Sequence, residues 1–363
     1  MILIFLNIIQ VYMGNYKYEK LSSWLKEKIE SGEFPADSRI PTELELSRQF
    51  NISRDTVRTG ISQLETEGLL VRRKGSGTYV NKPAPAPFLP QKTASKTIAV
   101  IVNETDNYIF PAIINGINQK LMDHGYNCAM YFTSYQFLQE RRVLKYALNG
   151  DYAGLIIEPA KSGLPNMNID LYEEIARRKP TLLMHAKFPI PNLSAITSGD
   201  EEAGYILTKY LIEQGHKDIA YFCKLDEYPG RKRYQGYLRA FRETGLKLED
   251  KNILCFLTED APYLFGYPIN PRTVEILNRC SVVICHNDCY AYKLHNFITQ
   301  QHMSIQIAGF DNSPIGEGIC SITVTHHQKD FGETAAERLL EKIQFPGRDV
   351  SFDFSPELVI RQS

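Results

Sequence analysis

The segment from Pro41 to Val80 constrains this chain more than any other. Thr42, with Glu45 three residues on, is a capping box that satisfies the free amides of a helix start, and Leu44, Leu46 and Phe50 pack that helix inward. Asn51 allows a tight turn. Ser53 then caps a second helix, with Thr56 one turn on, and Val57, Ile61 and Leu64 form its inner stripe. Two short strands, Leu69 to Arg73 and Thr78 to Val80, follow around Lys74-Gly75-Ser76-Gly77, where the glycines permit positive φ. Upstream, Leu21, Trp24, Leu25 and Ile29 repeat at helical spacing over Tyr18 to Ser31, with Trp24 read as core. The order predicts a winged helix-turn-helix over residues 16–81, α+β, with three helices and a β-wing.

The inner stripe of the second motif helix leaves Arg54, Asp55, Arg58 and Thr59 outside, near its N-terminal end. That end is the part a recognition helix presents to the major groove. Arginine there can bond two guanine acceptors at once, and Ser53 and Thr56 suit phosphate or base contacts. A solvated face with a salt bridge from Asp55 is the plain alternative; the adjoining wing favours DNA. The formal net charge of −1 excludes a uniformly basic coat, so contact must come from a local patch. Arg72, Arg73, Lys74 and Lys82 supply one, with no acidic residue between Gly68 and Lys82. No G-x-x-x-x-G-K-[ST] or G-x-G-x-x-G frame is completed, which sets aside a nucleotide cradle. The runs IPTELEL, FNISRDTVR and GSGTYV resemble the GntR-type family of bacterial transcription regulators without a gap. The resemblance implies contacts to double-stranded operator DNA from Arg39, Thr42, Glu43, Ser53, Arg54, Thr56, Arg58, Arg73, Lys74, Gly75, Ser76 and Gly77.

At 363 residues and 43% hydrophobic content, the chain exceeds one core of ordinary size. NKPAPAPFLPQKTASK, from Asn81 to Lys96, is rich in proline and predicts a semi-stiff linker over residues 82–96 before a second unit over 97–363. MILIFLNIIQVYM at the start is apolar, yet lacks a positive n-region, a cleavage site and the ~20 residues of a membrane span. Residues 1–15 are expected to be a non-native or mis-assigned extension, with Met13 as the natural start; the alternative is a membrane-associated segment. The 7 cysteines form no C-x-x-C pair and suit a reducing compartment. A metal at Cys285, His286 and Cys289 is disfavoured by Asn287 and Asp288 within the cluster. No cofactor, metal or membrane partner is expected.

From Thr97 onward apolar strands alternate with amphipathic helices: strands at Thr97 to Val102, Asn127 to Phe132, Gly154 to Ile157, Thr181 to Met184, Ile219 to Phe222, Val282 to Cys285 and Ile305 to Gly309, and helices between them, among them Gly204 to Gln214 and Tyr234 to Thr244. Repeated βα units predict an α/β domain of parallel sheets covered on both faces, two of which would enclose a ligand cleft. The runs TIAVIVNETDNYIFP, GLIIEPAKS, KRYQGYLRAF, VICHNDCYAYKL, IAGFDNSP and PELVIRQS resemble the LacI-type, periplasmic-binding-protein-like effector domain. Leu257 to Cys280 departs from that pattern, being shorter and more irregular.

A GntR-type head on such a body is similar to the arabinose-repressor group of Gram-positive bacteria. That implies a cytoplasmic homodimeric repressor of L-arabinose utilisation genes, released from its operator by the sugar; the alternative is the same architecture responding to a different sugar or a sugar phosphate. Planar polar groups for hydroxyls and an aromatic face for the ring, at strand C-terminal ends and matched to the family pattern, give Tyr108, Phe110, Glu158, Lys161, His185, Asp200, Arg231, Arg233, Asn287 and Asp288 as effector-binding candidates. An enzyme is not expected: an aminotransferase-like body would be much longer, and no H-E-x-x-H or G-x-S-x-G signature occurs. A sugar-transport receptor fits the body and conflicts with the head.

Overall fold

The computed structural model describes residues 18–81 and 95–361, apart from 19, 30, 67, 68, 74 and 105–107. The expectations for residues 1–15, for Lys74 and for the linker up to residue 94 fall outside the described residues. The chain divides into two compact units, residues 1–93 and 94–363.

In the first unit, helix α1 (residues 20–29) precedes α2 (Glu43–Phe50), α3 (Arg54–Thr66) and a hairpin of β1 (Leu70–Arg73) and β2 (Gly77–Val80). The capping box closes in both directions: the Thr42 hydroxyl accepts from the Glu45 amide at 3.3 Å, and the Glu45 carboxylate accepts from the Thr42 amide at 2.7 Å. Asn51 ends α2 in the left-handed region at φ 51, and the Ser53 hydroxyl accepts from the Thr56 amide at 3.2 Å. Leu21, Leu25, Leu46, Val57, Ile61, Leu64, Leu70 and Val80 make one core. Burial of each is worth about 1.5–3 kcal/mol. Trp24 meets Phe34 and Phe50 edge-on beside it. The second wing strand starts one residue earlier than expected, at Gly77, whose φ of +126 is a conformation that other residues rarely adopt, and the Arg39 guanidinium lies against it.

In the second unit, β3 (Thr97–Val102), α4 (Phe110–Asp123), β4 (Asn127–Phe132), α5 (Phe137–Asn149), β5 (Gly154–Ile157), α6 (Ile169–Arg178), β6 (Thr181–Met184) and β7 (Ser194–Thr197) build a first lobe. The chain then crosses to a second lobe of α7 (Asp200–Glu213), β8 (Ile219–Lys224), α8 (Tyr228–Thr244), β9 (Ile253–Phe256), α9 (Ala261–Phe265), α10 (Pro271–Leu277), β10 (Val282–Ile284), α11 (Asp288–Gln300), β11 (Gln306–Asp311) and β12 (Ile322–Thr325). It returns through α12 (Gln328–Gln344) and β13 (Phe352–Asp353) and crosses again to β14 (Leu358–Ile360). The sheets run β13-β7-β6-β5-β3-β4 and β14-β12-β11-β10-β8-β9. All pairs are parallel except β12 with β14. Strands such as β3, β5 and β8 are buried on both faces, which is why they read as unbroken apolar runs.

Two helices are longer than the sequence suggests. The helix expected from Tyr234 starts at Tyr228, because Pro229 sits in its first turn, where no amide is required, and Gly230 packs on the Lys224 carbonyl. The helix expected from Gly204 starts at Asp200. These two, α7 and α8, cross so closely at Gly204 and Gly236 that a Cβ on either would lie 2.0 Å from a carbonyl oxygen of the other helix. The irregular Leu257 to Cys280 stretch folds as the short α9 and α10.

Candidate functional site

The first unit concentrates arginine on one face. Glu43, at the start of α2, gathers Arg58 Nε at 2.9 Å, Arg54 Nη2 at 3.7 Å and Arg72 Nη2 at 3.9 Å. Arg58 also reaches Asp55 at 3.4 Å, Arg72 reaches Glu65 at 3.4 Å, and Arg73 pairs with Asp37 while lying over the Tyr79 ring. Arg39, Thr42, Glu43, Arg54, Arg73, Gly75, Ser76 and Gly77 line one groove. Arg58 joins it through Glu43, and Ser53 and Thr56 hydrogen-bond each other at the start of α3. Arg72 was expected only as patch charge; its link to Glu43 was not legible, since it spans β1 and α2. Half-exposed ion pairs of this kind contribute ~0–1 kcal/mol each, so the guanidiniums can exchange partners cheaply.

The second unit has a cleft between its lobes, lined from the first lobe by Asn103, Phe110, Tyr135, Glu158, Ser162 and His185, and from the second by Glu227, Arg233, His286, Asn287, Asp311 and His326. Glu158 accepts from the Asn103 amide at 3.0 Å and lies 3.7 Å from His185 Nδ1. His185 and His326 share a hydrogen bond between their Nε2 atoms at 2.9 Å, so one ring donates and the other accepts. Burial, then the neighbouring His185, holds the His326 pKa well below the ordinary imidazole value. His185 stacks on Phe331.

Arg233 is the anchor of this site. Its Nε donates to Asp200 Oδ1 at 2.9 Å, Nη1 to the His286 carbonyl at 2.9 Å and Nη2 to Asp311 Oδ1 at 3.5 Å. Burial opposes its charge, but Asp200 and Asp311 outweigh that and raise its pKa. Tyr108 donates to the other oxygen of Asp311 and so ties the two lobes. Glu227 accepts from Lys224 and, at 2.9 Å, from His286 Nε2. Burial again opposes ionisation, and Lys224 and His286 overcome it, lowering the Glu227 pKa. Among the described residues, His286 Nδ1, His326 Nδ1 and Asp200 Oδ2 are buried without a hydrogen-bond partner. Such atoms are costly unless something polar meets them.

Of the expected effector residues, Phe110, Glu158, His185, Arg233 and Asn287 line the cleft. Tyr108 enters through Asp311, and Asp200 stands behind Arg233. Lys161 turns to Glu259 across the lobes. Arg231 donates to the Gly163 carbonyl and lines a separate groove with Lys187 and Phe188. The Asp288 carboxylate points into the second lobe, accepting from the Ser313 amide at 2.7 Å and hydroxyl at 2.8 Å. Burial, then Asp311, raises its pKa to about 6. Sequence reasoning missed Asn103, Tyr135, Ser162, Glu227, His286, Asp311 and His326. Asn103, His286, Asp311 and His326 lie at, or within two residues beyond, the C-terminal end of a parallel strand, where the strand-end rule points.

A winged helix-turn-helix with an arginine face, on one chain with a two-lobed cleft domain, defines a ligand-responsive transcription regulator. The family model of the bacterial regulatory proteins, gntR family, matches residues 17–80, and that of the periplasmic binding protein-like domain matches residues 208–363. The chain is 32% identical to the arabinose metabolism transcriptional repressor of Geobacillus stearothermophilus, over 96% of this chain and 97% of the relative. It is 30% identical to that of Halalkalibacterium halodurans, over 96% of each. It belongs to the family of the arabinose metabolism transcriptional repressors. A LacI-type regulator from Alkaliphilus metalliredigens, solved in complex with D-xylulofuranose, shares the fold at TM-score 0.62 and 22% identity, covering 74% of this chain and 98% of that one.

Proposed function

We propose that this chain is a cytoplasmic, homodimeric repressor of pentose-use genes that leaves its operator when L-arabinose enters the cleft of the second unit. The observation that carries the ligand class is the cleft itself. Buried planar side chains, with His286 Nδ1 and His326 Nδ1 unpartnered among the described residues, sit beside the Phe110 ring. This donor and acceptor set suits hydroxyls around a ring. Its charge disfavours a phosphorylated sugar, since Glu158, Glu227 and Asp311 line it against Arg233. L-arabinose as the pentose rests on the names of the relatives.

In this reading Arg54 and Arg58 reach base edges, steadied by Glu43, while Arg39, Arg73 and the Gly75 to Gly77 backbone hold phosphates. Contacts from Tyr108 to Asp311, His185 to His326 and Lys161 to Glu259 join the lobes, so a ligand among them alters the lobe closure. The sugar has to prefer the DNA-incompetent state, since equal affinity for both states shifts nothing. For the homodimer, β4 is the last strand of its sheet, and Phe132, with Met122, Leu138 and Tyr146 on the flanking helices, is exposed. An apolar patch along a sheet edge suits cover by a second copy. Residues 82–96 act as the tether between the units. Calorimetry against pentoses, hexoses and sugar phosphates, with operator anisotropy in parallel, tests this. L-arabinose is expected to bind and to release DNA; binding confined to a sugar phosphate would overturn the ligand class.

A further inference from the structure

Strands β8 and β9 run parallel at one edge of the second sheet, and their register sets Cys223 opposite Cys255. Register partners in such a pair project to the same face, here the one where Tyr221, Cys223 and Ile253 pack with Tyr237 and Phe241 of α8. Cys223 is buried, its Sγ 3.5 Å from the Gly230 carbonyl. Cys255 is exposed, because β9 is the terminal strand. Neighbouring strands lie about 4.8 Å apart, inside the ~4.4–6.8 Å range of α-carbon separations in disulfides. One thiol that solvent reaches, with a shielded thiol beside it, is the layout of an attacking and a resolving cysteine.

We propose that Cys223 and Cys255 form a redox-convertible dithiol, a modification site for small-molecule disulfides. The electrostatics agree with the geometry. The neighbouring Cys223 thiol lowers the Cys255 pKa against the effect of burial, and Arg272 adds to the lowering, while Cys255 and burial raise that of Cys223. Burial pushes Cys128 and Cys280 up to about 11 and raises Cys285, Cys289 and Cys320 as well. The thiolate is the nucleophile, so reactivity concentrates at Cys255.

The exchange balances without any further reagent. The Cys255 thiolate attacks one sulfur of the small disulfide, forming a mixed disulfide and expelling one small thiolate. Cys223 gives its proton to water, and its sulfur attacks the Cys255 sulfur, expelling the second small thiolate. The two protein thiols are oxidised by two electrons, and the small disulfide is reduced to two thiols that take up the two protons. Bridging draws Cys223 away from Gly230, in the first turn of the helix that carries Arg233.

The test treats the full chain with oxidised glutathione at neutral pH, quenches in acid, alkylates free thiols and maps the digest by mass spectrometry. Expected is a Cys223–Cys255 cross-link two hydrogens lighter than the reduced peptides, reversed by dithiothreitol and formed at least ten times faster than any adduct elsewhere. Cys223→Ser is expected to stop at the glutathione adduct on Cys255, and Cys255→Ser to form neither. A persistent adduct on Cys255 in the unaltered chain, or preferential reaction of another cysteine, would overturn the proposal. The arm with the unaltered chain decides this even where a variant folds poorly.

Discussion

Arginine is used in opposite ways in the two units. Arg54, Arg58, Arg72 and Arg73 keep between 44% and 58% of their side chains exposed and meet their carboxylates at the surface. Arg233 keeps 7% and is held by two carboxylates and a carbonyl. A solvated guanidinium loses little when it leaves one anion for another, which suits a surface that must trade internal pairs for phosphates and bases. A buried one cannot let go, because the carboxylates it leaves would stand uncompensated. The first arrangement is built for exchange and the second for position, and substitution should separate them.

The largest effect is expected at the buried end of that contrast. Arg233→Ala strands Asp200 and Asp311 and should destabilise the second unit by about 3–5 kcal/mol, with sugar binding lost and operator binding by the folded fraction retained. Urea unfolding of that unit is the measurement, and a cost below ~1 kcal/mol would show that the cleft charges relax as surface ones do. Arg233→Lys should recover only part, since an ammonium lacks the planar fork.

Asp288 sharpens the same point through pH. Its carboxyl titrates near 6 in the fold against an ordinary 3.8. Between those values the folded state binds more protons than the unfolded one, so its stability contribution is full below about pH 4 and falls as pH rises to 6. The span is on the order of 2–3 kcal/mol. Asp288→Asn should flatten the stability profile over this window; parallel profiles for the two proteins would mean that Asp288 is not held protonated by its surroundings.

At the exposed end, Arg58→Ala should weaken specific operator binding by ~1–3 kcal/mol while leaving sugar affinity alone. Equal operator affinities by anisotropy would remove Arg58 from base reading. Arg73→Ala should act least, weakening specific and random DNA alike and reducing the salt slope by roughly one unit. A loss confined to the operator sequence would make the wing a base reader and erase its difference from α3.

The order of elements was legible because it rests on local signals. The capping box at Thr42 and Glu45, the turn at Asn51 and the glycines of the wing each act within a few residues, and the unbroken apolar runs of β3, β5 and β8 mark strands buried on both faces. The start of α8 lies ahead of its amphipathic stretch, since Pro229 and Gly230 carry no helical signal until their packing is known.

The sequence by itself determined the class of both units and part of the cleft lining, Phe110, Glu158, His185, Arg233 and Asn287, because strand ends and helix caps announce themselves locally. Only the tertiary structure decided which charges meet. The pairs of Tyr108 with Asp311, His185 with His326 and Arg233 with Asp200 and Asp311 join residues from separate strands, helices and crossovers. The turning of Asp288 inward to Ser313 depends likewise on a neighbouring strand end. Such contacts depend on how the sheets stack and where the chain crosses between lobes, and no spacing along the sequence encodes that distance.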